Sequence, residues 1–316
     1  MGTRYLVTGG AGFIGSHIAE RLLEQGALVR IFDNFATGKR ATVAGLTERF
    51  GGALELHEGD LADADACRRA VEDCAYIFHE AALASVPRSI ADPLGTHRAN
   101  VTGTLHLLLA ARDAGVRRLV YAGSSSVYGD SPELPKRETL PAAPLSPYAL
   151  SKFVGEEYAR LFGEQFGLET VTLRYFNVFG PRQDPDSPYA AVIPIFLKRL
   201  RAGEAPVIHG DGAQTRDFTF VANVVAANLA ACHEPRAAGV YNIACGERTS
   251  VNELLALLQR ALGTDIPARF EGRRAGDVPH SVADISRARA ELGYAPGVTL
   301  AEGISRTVDH FRELPL

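Results

Sequence analysis

Short apolar runs alternate with amphipathic stretches over the first 175 residues. This order of strand-like and helix-like segments is typical of a parallel sheet covered by helices on both faces. We predict strands at residues 5–8, 28–33, 54–58, 76–79, 118–123 and 169–175. We predict helices near residues 14–25, 65–72, 95–114 and 147–166. The first half is therefore interpreted as a doubly wound α/β domain of the Rossmann type.

The regular alternation ends after residue 175. From there to the C-terminus, prolines interrupt a mixture of short strands and helices, as Pro181, Pro185, Pro194 and Pro206 illustrate. We therefore predict two domains. Residues 1–175 form the Rossmann domain, and residues 176–316 form mainly a smaller α/β domain, with some segments returning to the first one.

Composition and charge exclude several classes of partner. Of the 316 residues 46% are hydrophobic and 22% are charged, and the net charge is -4 with acidic and basic residues interspersed. No basic stripe indicates nucleic acid, and no run of roughly 18 apolar residues indicates a membrane span. The first predicted strand begins only a few residues after Met1, so we expect no signal peptide and a cytoplasmic protein. The four cysteines lack CxxC spacing, and we expect them to be reduced, without a metal site.

A glycine-rich turn links the first predicted strand to the first predicted helix. Gly9, Gly12 and Gly15 follow the strand, and Phe13 and Ile14 lie between the last two glycines. Gly9 permits a tight turn, Gly12 lets the backbone approach a pyrophosphate, and Gly15 allows close packing of the helix. Free N–H groups at the helix start would face the anion. An ordinary strand–helix turn has the same pattern, so the glycines alone do not identify the ligand.

Two carboxylates strengthen the case for a dinucleotide. Asp33 ends the second predicted strand, where it can accept hydrogen bonds from both ribose hydroxyls and repel a 2′-phosphate. Asp33 and Asn34 could also form a simple turn. Asp60 and Leu61 follow the third strand, and Asp60 is placed to reach the adenine amine. In this order the three features favour NAD over NADP.

A tyrosine and a lysine share one face of the predicted helix 147–166. Tyr148 and Lys152 are four residues apart, about one turn. A nearby ammonium and a positive nicotinamide ring favour the phenolate, which could then act as a base. The same spacing is common on solvated helix faces. Three serines favour a catalytic pair over a solvated helix face, because they follow the fifth predicted strand at its carboxyl end, where ligands of doubly wound sheets bind. They are Ser124, Ser125 and Ser126.

Four motifs make the chain resemble the extended short-chain dehydrogenase/reductase family over its whole length. They are the glycine turn, Ser-Ser-Ser-Val-Tyr-Gly at 124–129, the pair Tyr148 and Lys152, and Arg-Tyr-Phe-Asn-Val-Phe-Gly-Pro-Arg at 174–182. Within this family the sequence is most similar to the UDP-hexose 4-epimerases, particularly those acting on UDP-N-acetylglucosamine. The resemblance implies that Tyr148 removes the 4-hydroxyl proton while the C4 hydride passes to bound NAD. The resulting 4-keto sugar turns and takes the hydride back on its other face.

The resemblance also assigns the residues around the reacting carbon. Among the three serines we favour Ser125 as the partner of the phenolate. Related dehydratases and decarboxylases are expected to have an acidic residue immediately before Val-Tyr-Gly, whereas Ser125 and Ser126 stand here, so simple epimerisation is favoured over elimination. The implied cofactor contacts are Gly9, Gly12, Phe13, Ile14, Gly15, Asp33, Asn34, Asp60, Leu61, Ala81, Ala82, Asn100, Tyr148, Lys152 and Tyr175.

The implied UDP-hexose site lies mainly in the second domain. By resemblance, Asn177, Arg216 and Arg274 bind the two phosphates, since arginine forms bidentate bonds to a dianion. Ser281 leaves room beside the sugar C2 substituent, which would admit an N-acetyl group without excluding the plain hexose. The other implied contacts are Ala191, Val192, Ile193 and Phe196 at the uracil, and Ser85, Arg88 and Ser126 near the sugar.

Other interpretations remain open at this point. A UDP-uronic acid epimerase would need a cationic or hydroxyl contact near C6, and Asn177 stands where a hydroxyl could have helped. A reductase of the same fold would release reduced cofactor. A sensing module without chemistry could dispense with Tyr148 and Lys152.

The two longest predicted helices suggest a homodimer. Helices 95–114 and 147–166 carry apolar residues on more than one face, as Leu105, Leu107, Leu108 and Leu109 illustrate. By resemblance, these helices pair across a twofold axis.

Overall fold

The computed structural model describes residues 2–186, 190–272 and 278–313. The strands are β1 (Arg4–Thr8), β2 (Leu28–Asp33), β3 (Leu54–Glu58), β4 (Tyr76–His79), β5 (Arg118–Ser124), β6 (Glu169–Tyr175), β7 (Val178–Phe179), β8 (Val207–His209), β9 (Thr215–Arg216), β10 (Thr219–Phe220), β11 (Gly239–Ile243), β12 (Thr249–Ser250) and β13 (Arg269–Glu271). The helices are α1 (Phe13–Glu24), α2 (Arg40–Phe50), α3 (Ala64–Val71), α4 (Val86–Ala91), α5 (Pro93–His97), α6 (Gly103–Asp113), α7 (Pro147–Phe166), α8 (Val192–Arg201), α9 (Val221–His233), α10 (Val251–Leu262), α11 (Ser286–Leu292) and α12 (Leu300–Glu313).

A seven-stranded parallel sheet organises the molecule. Its order is β11-β6-β5-β4-β1-β2-β3, and every pairing in it is parallel. The predicted α/β class with a parallel sheet is confirmed, and the six strands predicted from the alternation each lie within one residue of their observed bounds. The seventh strand, β11, comes from the C-terminal half and pairs with β6.

Two helical layers cover this sheet. Helices α1, α2, α9 and α11 pack on one face, and helices α3, α6 and α7 pack on the other. Neighbouring residues of one strand face opposite layers: in β1, Leu6 packs in one cluster and Val7 in the other, and both are fully buried. Burial on both sides explains why inner strands such as β1 and β4 are mainly apolar, whereas β3 at the edge of the sheet alternates between apolar and polar residues.

Two helical segments differ from the prediction. Helix α2 was not predicted, because only Val43 and Leu46 of its eleven residues are buried and its apolar stripe is therefore weak. The predicted helix 95–114 is divided into α5, a wide π-helical turn at Arg98–Thr102, and α6. Periodicity does not reveal such a turn, since a single wide turn interrupts the helix without changing its general direction.

The C-terminal half has its own hydrophobic core. Phe196 of α8, Leu254 of α10 and Phe311 of α12 are almost completely buried in it. Gly303 permits close packing of α12, because a Cβ atom there would lie 2.8 Å from the Phe220 ring. Across the described residues, no helix combines the length and the apolar content that crossing a membrane requires.

A buried ion pair joins α7 to the central sheet. Arg174 of β6 donates to both carboxylate oxygens of Glu156, and the Nε–Oε2 distance is 2.9 Å. Both side chains are at most 5% exposed. The guanidinium also lies over the Tyr128 ring, 4.7 Å from its centroid. This pair fixes the helix that carries Tyr148 and Lys152 against the strand beside it.

We expect Arg174→Met to lower the free energy of unfolding by about 3–5 kcal/mol, because Glu156 would stay buried without a counter-charge. Urea denaturation measures the loss. The double variant Arg174→Met/Glu156→Leu should recover most of it. Arg160→Met removes the exposed pairs with Glu157 and Glu164 on the same helix and should change stability little. Equal effects of Arg174→Met and Arg160→Met would contradict this view of the buried pair.

Candidate active site

A cleft of about 690 Å³ opens at the carboxyl ends of β1 to β4. Doubly wound sheets bind ligands at this edge, outside the strand ends. The glycine turn forms one wall, and the loops after β2, β3 and β4 form the others. Predicted cofactor and sugar residues that line the cleft are Gly9, Gly12, Phe13, Ile14, Gly15, Asp33, Asn34, Asp60, Leu61, Ala81, Ala82, Ser85 and Arg88.

The glycine turn leaves no room for side chains at two positions. Gly9 has a φ of 67°, and a Cβ atom there would lie 2.8 Å from the Ala81 backbone. A Cβ atom at Gly15 would lie 2.3 Å from the Gly9 carbonyl oxygen. Helix α1 starts after Gly12 without a side-chain cap. Its first N–H groups therefore border the cleft as donors, as an anionic ligand requires.

Asp33 and Asp60 line the part of the cleft that is formed at the ends of β2 and β3. Asp33 accepts hydrogen bonds from the backbone N–H groups of Ala11, at 3.0 Å, and Phe35, at 2.8 Å. Each carboxylate oxygen takes one of these bonds, so each retains a lone pair for a ligand hydroxyl. Burial raises the pKa of Asp33, against these backbone bonds. Asn34 donates to Asp60 at 3.2 Å, which joins the loops after β2 and β3.

The polar side-chain atoms of two predicted cofactor residues have hydrogen-bond partners within the protein. Asn100 is 2% exposed. Its side chain accepts from the Leu83 N–H and donates to the Ser151 hydroxyl at 2.8 and 3.0 Å. Tyr175 is 8% exposed, and its hydroxyl donates to Glu80 at 2.8 Å. Their side chains therefore position the cleft wall, and their contacts with a cofactor stay a prediction.

The structure brings Ser124, and not Ser125, to the Tyr148 phenol. Burial raises the pKa of Tyr148, and a hydrogen bond with the Ser124 side chain opposes that rise. Ser124 and Ser126 share a hydrogen bond of 2.8 Å between their hydroxyls. The expectation for Ser125 is corrected for a local reason. β5 extends through Ser124, and Ser125 begins a tight 3₁₀ turn, Ser125–Tyr128, which changes the direction of the chain.

Lys152 follows Tyr148 by about one turn of α7, and its ammonium is held at the end of β5. Its ammonium donates to the Ala122 carbonyl at 2.9 Å and lies 5.1 Å from the centroid of the Tyr121 ring. The residue is 4% exposed. Burial lowers the pKa of Lys152 to about 8, and attraction to Glu80 acts in the opposite direction. The predicted Tyr–Lys pair therefore combines a buried lysine with a half-buried tyrosine, and a half-buried carboxyl group acts on the lysine.

Glu80 was not predicted as a functional residue. It lines the cleft directly after β4. Burial raises the pKa of this carboxyl to about 7, while the Tyr175 hydrogen bond and Lys152 lower it. An acidic residue directly after an apolar strand, at the edge where ligands bind, was the signal available in the sequence.

Three of the predicted substrate residues lie together in the described part of the C-terminal half, namely Asn177, Arg216 and Ser281. Arg216 donates to the carbonyl of Thr215 at 2.9 Å, and the Ser281 N–H donates to the same carbonyl at 3.1 Å. Asn177 has a φ of 33° and donates to the Asp217 carbonyl at 3.2 Å. Arg274 lies outside the described residues.

Asp217 joins three segments around this region. The fully buried carboxylate accepts N–H bonds from Cys245, Gly246 and Ala283 at 2.9, 3.0 and 3.1 Å. Burial raises the pKa of Asp217 to about 6, against these bonds. Sequence reasoning missed it, because an aspartate after an arginine has the same pattern as a solvated loop. The carboxylate holds the backbone on which Arg216 and Ser281 are placed.

The predicted uracil contacts differ in position. Ile193 and Phe196 are 1% exposed and pack in the C-terminal core. Their side chains are therefore core residues, as expected for the inward stripe of an amphipathic helix. Ala191 is exposed and Val192 is half-buried, so of this group these two remain open to a ligand.

The four cysteines are free thiols. Burial raises the pKa of Cys74 to about 11 and that of Cys67, Cys232 and Cys245 to about 12. They are therefore protonated and unreactive near neutral pH. Within the described residues, no group of three or more His, Cys, Asp and Glu side chains is arranged to hold a metal ion.

The chain is similar over most of its length to several known proteins. Residues 5–244 match the NAD dependent epimerase/dehydratase family. A UDP-glucose 4-epimerase of Mycolicibacterium smegmatis is 41% identical over 313 residues, which cover 98% of each chain. Two solved structures are also similar over nearly their whole length.

The first is a UDP-N-acetylglucosamine 4-epimerase of Methanobrevibacter ruminantium in complex with UDP-N-acetylmuramic acid. It is 40% identical, with a TM-score of 0.92 and coverage of 98% of both chains. The second is a UDP-glucose 4-epimerase of Thermus thermophilus in complex with NAD. It is 38% identical, with a TM-score of 0.90, and the match covers 99% of this chain and all of that one.

The glycine turn provides a direct test of the cleft as a dinucleotide site. Gly15→Ala should abolish bound dinucleotide, because its Cβ would displace the Gly9 carbonyl and with it the anion-binding turn. The nucleotide released from the purified protein by denaturation measures the effect. Gly45→Ala is the matched control, since nothing lies within 4 Å of a Cβ at that helical glycine. Circular dichroism checks that both variants fold. Undiminished nucleotide content in folded Gly15→Ala would contradict the assignment.

Proposed function

The chain belongs to the NAD dependent epimerase/dehydratase family, and we propose that it is an NAD-dependent 4-epimerase of UDP-hexoses. The observation that carries the proposal is the grouping of Tyr148, Ser124 and Lys152 at the carboxyl end of β5, next to Glu80, which lines the cleft with the dinucleotide features. Whole-length similarity to UDP-glucose and UDP-N-acetylglucosamine 4-epimerases supports it. The four free thiols fit a reducing compartment, and we infer that the enzyme works in the cytoplasm.

The cleft fits NAD in shape and in charge. A Cβ atom at Gly12 would lie 3.1 Å from the Gly9 carbonyl oxygen, so the turn is tight where a pyrophosphate would lie against the start of α1. Asp33 would accept from the adenosine ribose and repel a 2′-phosphate. Lys152 would hold the other ribose from the end of β5. A bound NAD would supply the hydride acceptor for C4 of the sugar and, once reduced, the hydride donor to the opposite face of the same carbon.

The proton chemistry belongs to the chain itself. Tyr148 takes the proton of the sugar 4-hydroxyl as the hydride leaves, and gives it back to the epimer. Ser124 hydrogen-bonds the phenol, and Ser126 holds the Ser124 hydroxyl in place. The Lys152 ammonium stabilises the phenolate, because an adjacent cation favours the charged form of an acid. The sugar oxygen therefore meets a hydroxyl and a phenol on the same side of the site.

Arg216, Arg274 and Asn177 would bind the diphosphate, and Ser281 would face the sugar C2 substituent. We infer activity on both UDP-glucose and UDP-N-acetylglucosamine, because a small side chain at 281 admits the larger substrate without rejecting the smaller one. Ser125 and Ser126 stand where a dehydratase would need an acid before Val127, which favours epimerisation over elimination.

Proton NMR tests the function directly. The purified protein, without added reductant, is incubated separately with UDP-glucose and UDP-N-acetylglucosamine. We expect the galacto epimer of each, with no net absorbance of reduced cofactor. Conversion of neither substrate would reject the proposal, and net formation of reduced cofactor would favour a reductase. Conversion of UDP-glucose alone would reject the role of Ser281.

Two serine variants separate the hydroxyl that acts on Tyr148 from its neighbour. Tyr148→Phe should lower kcat by roughly 10²-fold or more while both ligands still bind, because the base is lost. Ser124→Ala should lower kcat by roughly tenfold, the value of one charge-assisted hydrogen bond. Ser125→Ala is the control and should retain nearly full activity. Steady-state kinetics with UDP-glucose measure all three. A greater loss in Ser125→Ala than in Ser124→Ala would reverse the assignment.

We further propose a homodimer formed through α4, α5 and α7. Leu107 and Leu108, which first suggested an interface, are fully buried in the protomer's own core. The support comes instead from Ile90, Leu94 and Leu150, which are 64%, 77% and 51% exposed on these helices. Apolar side chains so exposed on neighbouring helices favour a second apolar surface, which a second copy provides.

Size-exclusion chromatography with light scattering tests the dimer. The wild-type protein should have twice the 33.9 kDa chain mass. Leu94→Asp combined with Leu150→Asp should give monomers, since burying two carboxylates at an apolar interface is unfavourable. Phe270→Asp changes an equally exposed apolar side chain, 60% exposed on β13, and should remain dimeric. A monomeric wild-type protein at micromolar concentration would contradict the proposal.

A further inference from the structure

The Glu80 side chain reaches across the carboxyl end of β5 to the hydroxyl of Tyr175. It directly follows β4, and β5 lies between β4 and β6 in the sheet. Its carboxylate nevertheless accepts a hydrogen bond of 2.8 Å from the hydroxyl of Tyr175, the last residue of β6. The side chain therefore spans the carboxyl end of β5.

Lys152 contacts the same short piece of β5. In the parallel register His79 is level with Tyr121, so Glu80 follows at the level of Ala122. The carbonyl of Ala122 is the acceptor of the Lys152 ammonium, at 2.9 Å. The carboxylate and the ammonium are thus both placed at the carboxyl end of β5, and the interaction between them is Coulombic, without a hydrogen bond.

The carboxylate is fixed in this position. Tyr175 donates to it, and Asn228 of α9 in turn donates to the Tyr175 hydroxyl at 2.8 Å. Asn228 is fully buried and Tyr175 is 8% exposed. A chain of two hydrogen bonds from the opposite helical layer therefore holds one acidic group on the cleft wall, and none of its members has a role in the chemistry proposed above.

The other titratable groups around the pair do not supply this charge. Burial lowers the pKa of His79 to about 3 and raises the pKa of Tyr121 and Tyr175 well above the usual value, so these three groups are neutral near neutral pH. Glu156 is bound by Arg174. Among the described residues, Glu80 is the carboxylate whose charge acts on Lys152.

We propose that Glu80 is a positioning residue that keeps Lys152 protonated, so that the ammonium can stabilise the Tyr148 phenolate. The inference rests on the proposed function, and it adds a third member to the Tyr148–Lys152 pair. Tyr175 and Asn228 support this role, because their hydrogen bonds hold the Glu80 carboxylate in position.

The sign of the expected change follows from the charges. Burial lowers the pKa of Lys152 to about 8, and Glu80 opposes that effect. Glu80→Gln keeps a hydrogen-bond acceptor for Tyr175 but removes the charge, so the pKa of Lys152 should fall further. Because Lys152 loses its proton as pH rises through its pKa, the alkaline limb of the kcat profile should move to lower pH.

Lysine NMR measures this without relying on turnover. The chain has four lysines, Lys39, Lys136, Lys152 and Lys198, so the ¹³Cε signals of selectively labelled protein can be followed one by one with pH. The signal missing in Lys152→Met identifies Lys152. In Glu80→Gln its pKa should fall by roughly 1 unit or more, as loss of a nearby opposite charge predicts. Tyr175→Phe should give a smaller fall in the same direction.

The matched control is Glu58→Gln. Glu58 ends β3 at the same edge of the sheet, but it is exposed and pairs with Arg40. This variant should leave both the Lys152 pKa and the alkaline limb unchanged. An unaltered Lys152 pKa in folded Glu80→Gln would overturn the inference even if the wild-type protein epimerises UDP-hexoses. A wild-type protein that converts neither UDP-hexose would instead reject the proposed function, and the NMR titration would still decide the role of Glu80.

Discussion

The site depends on how closely α7 packs against β5. At Gly155 the helix comes so near the strand that a Cβ atom would lie 2.2 Å from the Tyr121 hydroxyl oxygen. That hydroxyl donates in turn to the Lys152 carbonyl at 3.3 Å. Because Lys152 and Tyr148 precede Gly155 by about one and two helical turns, this contact fixes their height above the end of the strand. A larger residue at 155 would push the helix, and both functional side chains, away from Ser124 and Ala122.

Burial changes the protonation of the two functional side chains, Tyr148 and Lys152. A phenol and an ammonium that leave water both favour their neutral forms, so proximity alone would not give a phenolate beside a charged lysine. The Ser124 hydroxyl acts on the phenol, and the Glu80 carboxylate acts on the ammonium. On the phosphate side, Asp217 has a comparable structural role, since its buried carboxylate organises the backbone around Arg216 and Ser281.

Much of the fold could be predicted from the sequence, because burial on both faces makes inner strands such as β1 and β4 short, mainly apolar runs. The predicted bounds of β2, β3, β4 and β6 agree with the observed ones. Helix α2 could not be found in this way, since only two of its residues are buried. The π-helical turn before α6 could not be found either, because one wide turn leaves the apolar spacing on both sides intact.

The site was predictable where a local motif determines the geometry, as in the glycine turn and the Tyr148–Lys152 spacing. It was not predictable where tertiary partners decide. Ser124 and Ser125 are adjacent and chemically identical, and only the end of β5 determines which one reaches the phenol. Asn100 and Phe196 belong to motifs of ligand sites, but their side chains are used by the protein interior. The role of Glu80 depends on contacts with α7 and β6, which are distant in sequence.

The central claim is that one hydride leaves C4 and returns to the same carbon while the proton passes through Tyr148. The fate of deuterium in UDP-glucose labelled at C4 tests it most directly, with mass spectrometry and NMR of both epimers after many turnovers in ordinary water. The account predicts that the label stays at C4 in UDP-glucose and in its epimer. Loss of the label to solvent would mean that the carbon is inverted by proton exchange, and it would contradict the assignment of the cleft and of its residues to hydride transfer.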